Sequence, residues 1–276
     1  MIPENFAEIP YLAQINVKKR SMESFNAELV KLQAQSRGPG TVPIKNRDYT
    51  LIINTVIHML EDKNMLVFLE GIKTVELLAN LVGPLNYLKQ AKTKIWVGLL
   101  ASKYGETKTA VIAAVDKAML AIVKHAYNQV QFCQECINVI VSTHKNPRVK
   151  QFVIEHTIIP HIESISSEKD VAGNIFRLIK DKLVNLILKD TSASCRDASV
   201  SLLITFKQII PDNALIEAAI SALPKYRISE IQKRVNPDQA LENEAPTQDL
   251  KRGSETVIAK RSSKAESAMG EAENNA

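Results

Sequence analysis

Apolar residues recur along most of this chain at the three-and-four spacing of a single helix face, and clusters of polar residues interrupt the pattern at intervals. In 49–60 the apolar positions are Leu51, Ile52, Val56, Ile57 and Leu60, and Glu61-Asp-Lys-Asn64 ends the run. The same pattern predicts helices over 66–82, 85–103, 109–126, 131–142, 147–157, 175–188 and 193–209. Gly83-Pro84 stops one of these, and Tyr104-Gly-Glu-Thr-Lys108 joins two others. Pro147 stands at a first-turn position that tolerates it, whereas Pro224 breaks or kinks the last element, 215–235. Near the start, 6–15 and 22–32 read as two helices joined at 16–19, followed by a Gly- and Pro-rich connector at 36–43.

A short phrase recurs where polar turns give way to apolar helices: Asn64-Met-Leu-Val67, Lys108-Thr-Ala-Val111, Asn146-Pro-Arg-Val149 and Ser192-Ala-Ser-Cys195. Successive copies lie 44, 38 and 46 residues apart, which fits the roughly 40 to 47 residue period of HEAT-type helical hairpins. The expected fold is therefore an all-α HEAT-repeat solenoid of about six hairpins. Stacking such repeats points every turn in the same outward direction and builds a line of loops along one edge. An edge of that kind suits a large partner.

Composition refines this picture. Hydrophobic residues make up 45% of the 276 positions but aromatics only 5%, so the core is one of Leu, Ile, Val and Ala, as stacked helices require. No apolar run approaches the roughly 20 residues of a membrane span, and no basic leader precedes an apolar stretch. With three cysteines, these features predict a soluble intracellular protein with no membrane partner. From 236 onward the chain is rich in Glu, Ala, Ser, Lys and Asn and nearly lacks large apolar residues. The expectation is a folded domain over 1–235 and a disordered tail over 236–276, removable without loss of the fold. The tail holds five basic and eight acidic side chains, so the overall +5 conceals a body of about +8. A basic body suits nucleic acid or an acidic protein surface.

Signals of catalysis are weak. Cys133 and Cys136 form a C-x-x-C inside an apolar-periodic stretch with no second ligand pair, and Cys195 takes the place of valine in its phrase. All three read as core residues. His58, His125, His144, His156 and His161 are scattered, with no zinc-binding arrangement. No phosphate-binding loop or nucleophile elbow occurs, so no enzyme activity, metal or cofactor is expected. The basic residues lie in separate turns with few aromatics to stack bases, which argues against nucleic acid. Trp96, the only tryptophan, lies inside a helical run and reads as core.

What remains is the edge of turns: Lys18, Lys19 and Arg20, then Lys63 and Asn64, then Lys108, then Lys145, Asn146, Arg148 and Lys150, then Arg196. Lys145-Asn-Pro-Arg-Val-Lys150 resembles the N-P-x-x-K turn of the fourth repeat in TOG (tumour overexpressed gene) domains, the tubulin-binding modules of microtubule polymerases. Glu106-Thr-Lys-Thr-Ala-Val111 is similar to that family's third-repeat turn, Asp62-Lys-Asn-Met-Leu-Val67 to its second, and Cys195-Arg-Asp-Ala198 to its fifth. The resemblance covers about residues 4 to 234, and the four motifs stand in the family's order.

It implies a monomeric domain whose edge grips an αβ-tubulin heterodimer or a microtubule end. Lys63, Asn64 and Met65 would touch tubulin from the second turn, Lys108 from the third, Asn146, Arg148 and Lys150 from the fourth and Arg196 from the fifth, with the early turns facing β-tubulin and the late turns α-tubulin. It also implies a cytoskeletal location at microtubules, the spindle or a microtubule-organising centre. With one such domain, capture without processive polymerisation is expected. The first turn departs from the family. Val17 stands where the family has a tryptophan, ahead of Lys18, Lys19 and Arg20, which implies weaker binding of β-tubulin. The alternative reading is a HEAT-repeat adaptor for another protein.

Overall fold

A computed structural model describes residues 6–12, 14–35, 50–82, 92–125 and 128–235. The connector 36–43, the Gly83-Pro84 stop, the Trp96 side chain and the tail 236–276 lie outside the described residues. All regular elements among the described residues are helical. A 3-10 turn, Phe6–Tyr11, precedes α1 (Ile15–Gln35), α2 (Thr50–Glu61), α3 (Met65–Val82) and α4 (Lys92–Ser102). After α5 (Thr109–His125) come α6 (Gln129–Glu135), which runs on as a π-helical segment through Val141, and α7 (Pro147–Phe152). A second π segment, Val153–Ile158, carries α7 into α8 (Ile159–Ser164). The chain then continues as α9 (Lys169–Lys189), α10 (Ala193–Ile209), α11 (Ala214–Ser221) and α12 (Lys225–Val235).

These elements form six hairpins stacked in two layers. One layer carries the opening elements, with the 3-10 turn on α2, α2 on α4, α6 on α9 and α9 on α11. The other carries the returning helices, with α1 on α3, α3 on α5, α5 on the π segment Val153–Ile158, α7 on α10 and α10 on α12. A single apolar cluster runs between the layers from Ile9 to Ile231. At about 25 cal/mol per Å² of apolar surface, burial along this seam is the main term opposing chain entropy. Each hairpin buries its apolar face only because its neighbours cover it.

The recurring phrase has a direct structural cause. Asn146 and Ser192 are N-caps, their side chains accepting the Arg148 and Cys195 backbone N–H groups, and Asn64 accepts that of Leu66 at 3.0 Å. Three residues after each cap position the chain inserts an apolar side chain, and Val67, Val111, Val149 and Cys195 are all fully buried. Cap, two outward residues and a buried knob are what one helix start in a solenoid demands.

Three boundaries differ from expectation, the simplest being α9, which starts at Lys169 rather than 175. The first turn does not lie at 16–19: residues 15–20 already belong to α1, and Val17 and Lys18 donate backbone hydrogen bonds to the Gln14 carbonyl. The basic run there reads as loop, yet Lys19 is helical with Glu23 one turn on, and Lys18 is neutralised from outside its own helix by Asp62. Gln14-Ile-Asn-Val17 thus holds the helix-start position of the phrase, 50 residues before the next copy, but its fourth residue is 40% exposed where the other four are buried. The helix expected to stop at Thr157 continues to Ser164 through Pro160. The π segment just before it widens the turn, so the proline's missing N–H falls where the regular ladder is already interrupted.

Candidate functional site

Just beneath the edge, adjacent hairpins are tied together by polar side chains, and this decides which turn residues are free. Between hairpins 1 and 2, Lys18 Nζ donates to Asp62 Oδ2 at 3.1 Å, and Asp62 Oδ1 accepts the Asn64 backbone N–H at 2.8 Å. Deeper in the same interface Asn26 donates to Glu70, and Thr74 donates to the Asn26 side-chain oxygen at 2.7 Å. Between hairpins 2 and 3, Lys103 lies over the Phe68 ring, 4.1 Å from its centre, and burial pushes its ammonium below the ordinary lysine value.

Between hairpins 3 and 4 the buried Tyr104 hydroxyl donates to Asp116 at 2.8 Å and also meets Thr157. Phe152 stacks flat on His156, whose Nδ1 faces Asp116 at 3.2 Å. Gly105 serves this seam by its lack of a side chain, since a Cβ there would come within 3.0 Å of the Asn146 amide nitrogen. Arg227 of α12 links the last two hairpins through Asp197 at 2.9 Å.

The ion pair between hairpins 4 and 5 is less exposed than the one between hairpins 1 and 2. Lys150 Nζ donates to Asp190 Oδ2 at 2.7 Å, with side-chain exposures of 14% and 5%. Asp190 Oδ1 accepts the Ser192 backbone N–H at 2.9 Å, and its carbonyl accepts Arg196 Nη1 at 2.6 Å. Burial pushes the Asp190 carboxyl up, but the hydrogen bonds from Lys150 and Ser192 and the Lys150 charge outweigh it, leaving the group below the ordinary carboxylate value. A depressed carboxyl releases its proton more readily in the folded state. Its contribution to stability is therefore complete above the ordinary carboxylate pKa of about 4 and is lost as pH falls through the folded value. Acid titration followed by circular dichroism should show the wild type losing stability over that range, with a shallower loss in Asp190→Asn.

The residues read from the sequence therefore fall into two groups. Lys63, Lys108 and Lys145 are exposed on the turns of hairpins 2, 3 and 4 and make no ion pair with any described residue. Arg20 is exposed one turn into α1, and Asn146 caps α7. By contrast Lys150 is not the solvent-facing group its motif suggests, because Asp190 covers it. Lys18 is held by Asp62, Lys19 by Glu23, and Arg196 by the Asp190 carbonyl. Arg148 lies over the Phe152 ring at 4.9 Å.

Met65, an expected contact, packs partly into the core, so it supplies little of the apolar area that a first-turn tryptophan would give. Other apolar side chains on these turns are exposed. Tyr11 is 75% exposed where the 3-10 turn enters the first loop, with Ile15 at 45%, Val17 at 40% and Leu66 at 44% on the same two turns. Sequence reasoning passed over Tyr11, since a lone Tyr before a Leu-Ala-Gln turn carries no periodic signal.

No metal-binding group of three His, Cys, Asp or Glu side chains occurs among the described residues. Cys133 and Cys136 are buried, and desolvation pushes the Cys133 thiol up to about 12. Such thiols pack rather than react. His161 is buried too, and desolvation lowers it to about 4. No helix among the described residues is long and apolar enough to cross a membrane.

No protein-family model matches the chain, and no curated protein matches it. Solved structures do. A structure of tubulin recruitment and assembly by microtubule polymerases with TOG domain arrays superposes with a TM-score of 0.67 at 16% identity. That match covers 86% of this chain and 46% of the other, so the chain spans about half of that polypeptide. The N-terminal domain of MAST/Orbit gives 0.64 at 13% identity, covering 87% and 99% of the two chains. The TOG domain of Zyg9 from C. elegans gives 0.56 at 13%, covering 84% and 80%. At these identities the likeness is one of fold: the chain has the six-hairpin architecture of a TOG domain.

Proposed function

We propose that this chain captures αβ-tubulin through its edge of intra-repeat turns and acts in microtubule dynamics by binding, without covalent chemistry. The observation that carries this reading is the row of exposed lysines Lys63, Lys108 and Lys145, none in an ion pair with a described residue, on successive turns of a fold shared with tubulin-recruiting domains. A row of cations at repeat spacing matches an extended acidic protein surface, and the exposed Tyr11, Ile15, Val17 and Leu66 at one end give it an apolar anchor. The expected location is the microtubule cytoskeleton.

Size-exclusion chromatography with light scattering tests this directly. The chain and purified tubulin should co-elute at one chain per heterodimer at low salt and separate as ionic strength rises, because exposed pairs are screened over about 8 Å at physiological salt. Failure to co-elute at low salt would remove tubulin as the partner, and stronger retention by polynucleotide would favour nucleic acid.

The exposure of Val17 also makes the first turn testable. Val17→Trp places a large side chain on a surface where valine is already 40% exposed. An aromatic burying about 150 Å² or more at an interface should tighten binding by about 1 kcal/mol, roughly fivefold. A folded Val17→Trp protein with unchanged affinity would show that this turn does not touch the partner.

A further inference from the structure

Lys18 and Lys150 occupy the same register in hairpins three apart. Each lies four residues after the residue whose carbonyl starts its helix, Gln14 and Asn146. Each reaches into the turn of the following hairpin to an aspartate two residues before that turn's cap, Asp62 before Asn64 and Asp190 before Ser192. The division of labour on the carboxylate is also the same, with Oδ2 taking the lysine and Oδ1 the backbone N–H of the cap residue. The intervening hairpins lack the pair: Phe68 and Ile112 stand at the lysine position, and Glu106 and His144 at the aspartate position. An aspartate bound at once to its own turn and to the helix of the hairpin before it fixes the distance between two neighbouring turns.

We propose that Lys18–Asp62 and Lys150–Asp190 are spacing clamps of the binding edge, so that Lys150 is a positioning residue rather than a contact of the partner. The consequence for binding rests on the tubulin reading above, whereas the consequence for geometry does not. A contact lysine and a clamp lysine respond oppositely to loss of the aspartate. If Lys150 reached an acidic partner, Asp190→Asn would free it, remove a repelling charge and strengthen binding. If it is a clamp, Asp190→Asn and Lys150→Met each let turn 5 move relative to turn 4 and weaken binding.

The geometry is read in the free protein, with spin labels at Lys145→Cys and Thr191→Cys, since Cys133, Cys136 and Cys195 are buried and do not compete for label. Asp190→Asn and Lys150→Met should each broaden the distance distribution between turns 4 and 5, and Lys150→Arg should keep it narrow. Binding is read by titration of unlabelled variants with tubulin. Each single variant should bind about fivefold to tenfold more weakly with the wild-type salt dependence, and the double variant should be no worse than either. A distribution as narrow as wild type in both variants overturns the clamp, and so does tighter tubulin binding by Asp190→Asn. Where Asp190→Asn does not fold, Asp62→Asn in the more exposed pair, labelled on turns 1 and 2, takes its place with the same expectation. Wild-type protein that does not bind tubulin, with broadened variants, would refute the partner and leave the clamp standing.

Discussion

Asp190→Ala should lower the unfolding free energy by about 3 kcal/mol, the usual consequence of stripping one member from a buried ion pair. Three groups lose their partner together. The Lys150 ammonium is left in a site only 14% exposed, the Ser192 backbone N–H loses its acceptor, and the turn that presents the Asp190 carbonyl to Arg196 is loosened. The unpaired ammonium dominates, because a buried charge without a counterion costs far more than a lost neutral hydrogen bond. Asp181→Ala is the matched control, since Asp181 is 88% exposed and its nearest cation, Lys180, lies 3.9 Å away. Its effect should stay within about 0.5 kcal/mol. Urea unfolding monitored by circular dichroism distinguishes them, through a shifted midpoint at constant slope for Asp190→Ala. Equal midpoints for the two variants would mean that Asp190 is not the hub its contacts describe.

Replacing Lys63, Lys108 and Lys145 together by alanine should weaken tubulin binding by about 2 kcal/mol, near thirtyfold, taking each exposed charge contact at 0.2 to 1 kcal/mol. It should also flatten the decline of affinity with salt. Folding should be untouched, as none of the three pairs with a described residue. The comparison that matters is with Lys150→Ala and Arg196→Ala combined. Their motifs suggest a pure loss of affinity, whereas their partners in the fold require a loss of stability as well. Isothermal titration of the folded triple variant with tubulin gives the answer, and wild-type affinity there would sink the role of the edge.

The helical stack was legible because its information is local. Period 3.6 and the recurring phrase place α10 at 193–209, and Pro224 marks the break between α11 and α12 in the element read at 215–235. The burial of Val67, Val111, Val149 and Cys195 is likewise implied by the phrase itself. What escaped was everything that depends on a neighbouring hairpin. Lys150 looks like an outward lysine until Asp190, 40 residues on, covers it. Lys18, in the basic run at 18–20, looks like a loop residue until Asp62, 44 residues on, is seen to pair with it. The π segments escaped for another reason: their extra residue per turn mimics a break in the periodicity, and Pro160 strengthens that impression.

Hairpins 1 and 2, and again hairpins 4 and 5, are paired by one and the same device. Between these two pairs, at hairpins 3 and 4, the sealed Tyr104 hydroxyl, Asp116 and Thr157 form a polar knot and Gly105 admits the Asn146 side chain. Directional hydrogen bonds tolerate less sliding than greasy contact does. The relative placement of hairpins 3 and 4 is therefore pinned at this knot, and with it the offset between the turns on either side of it.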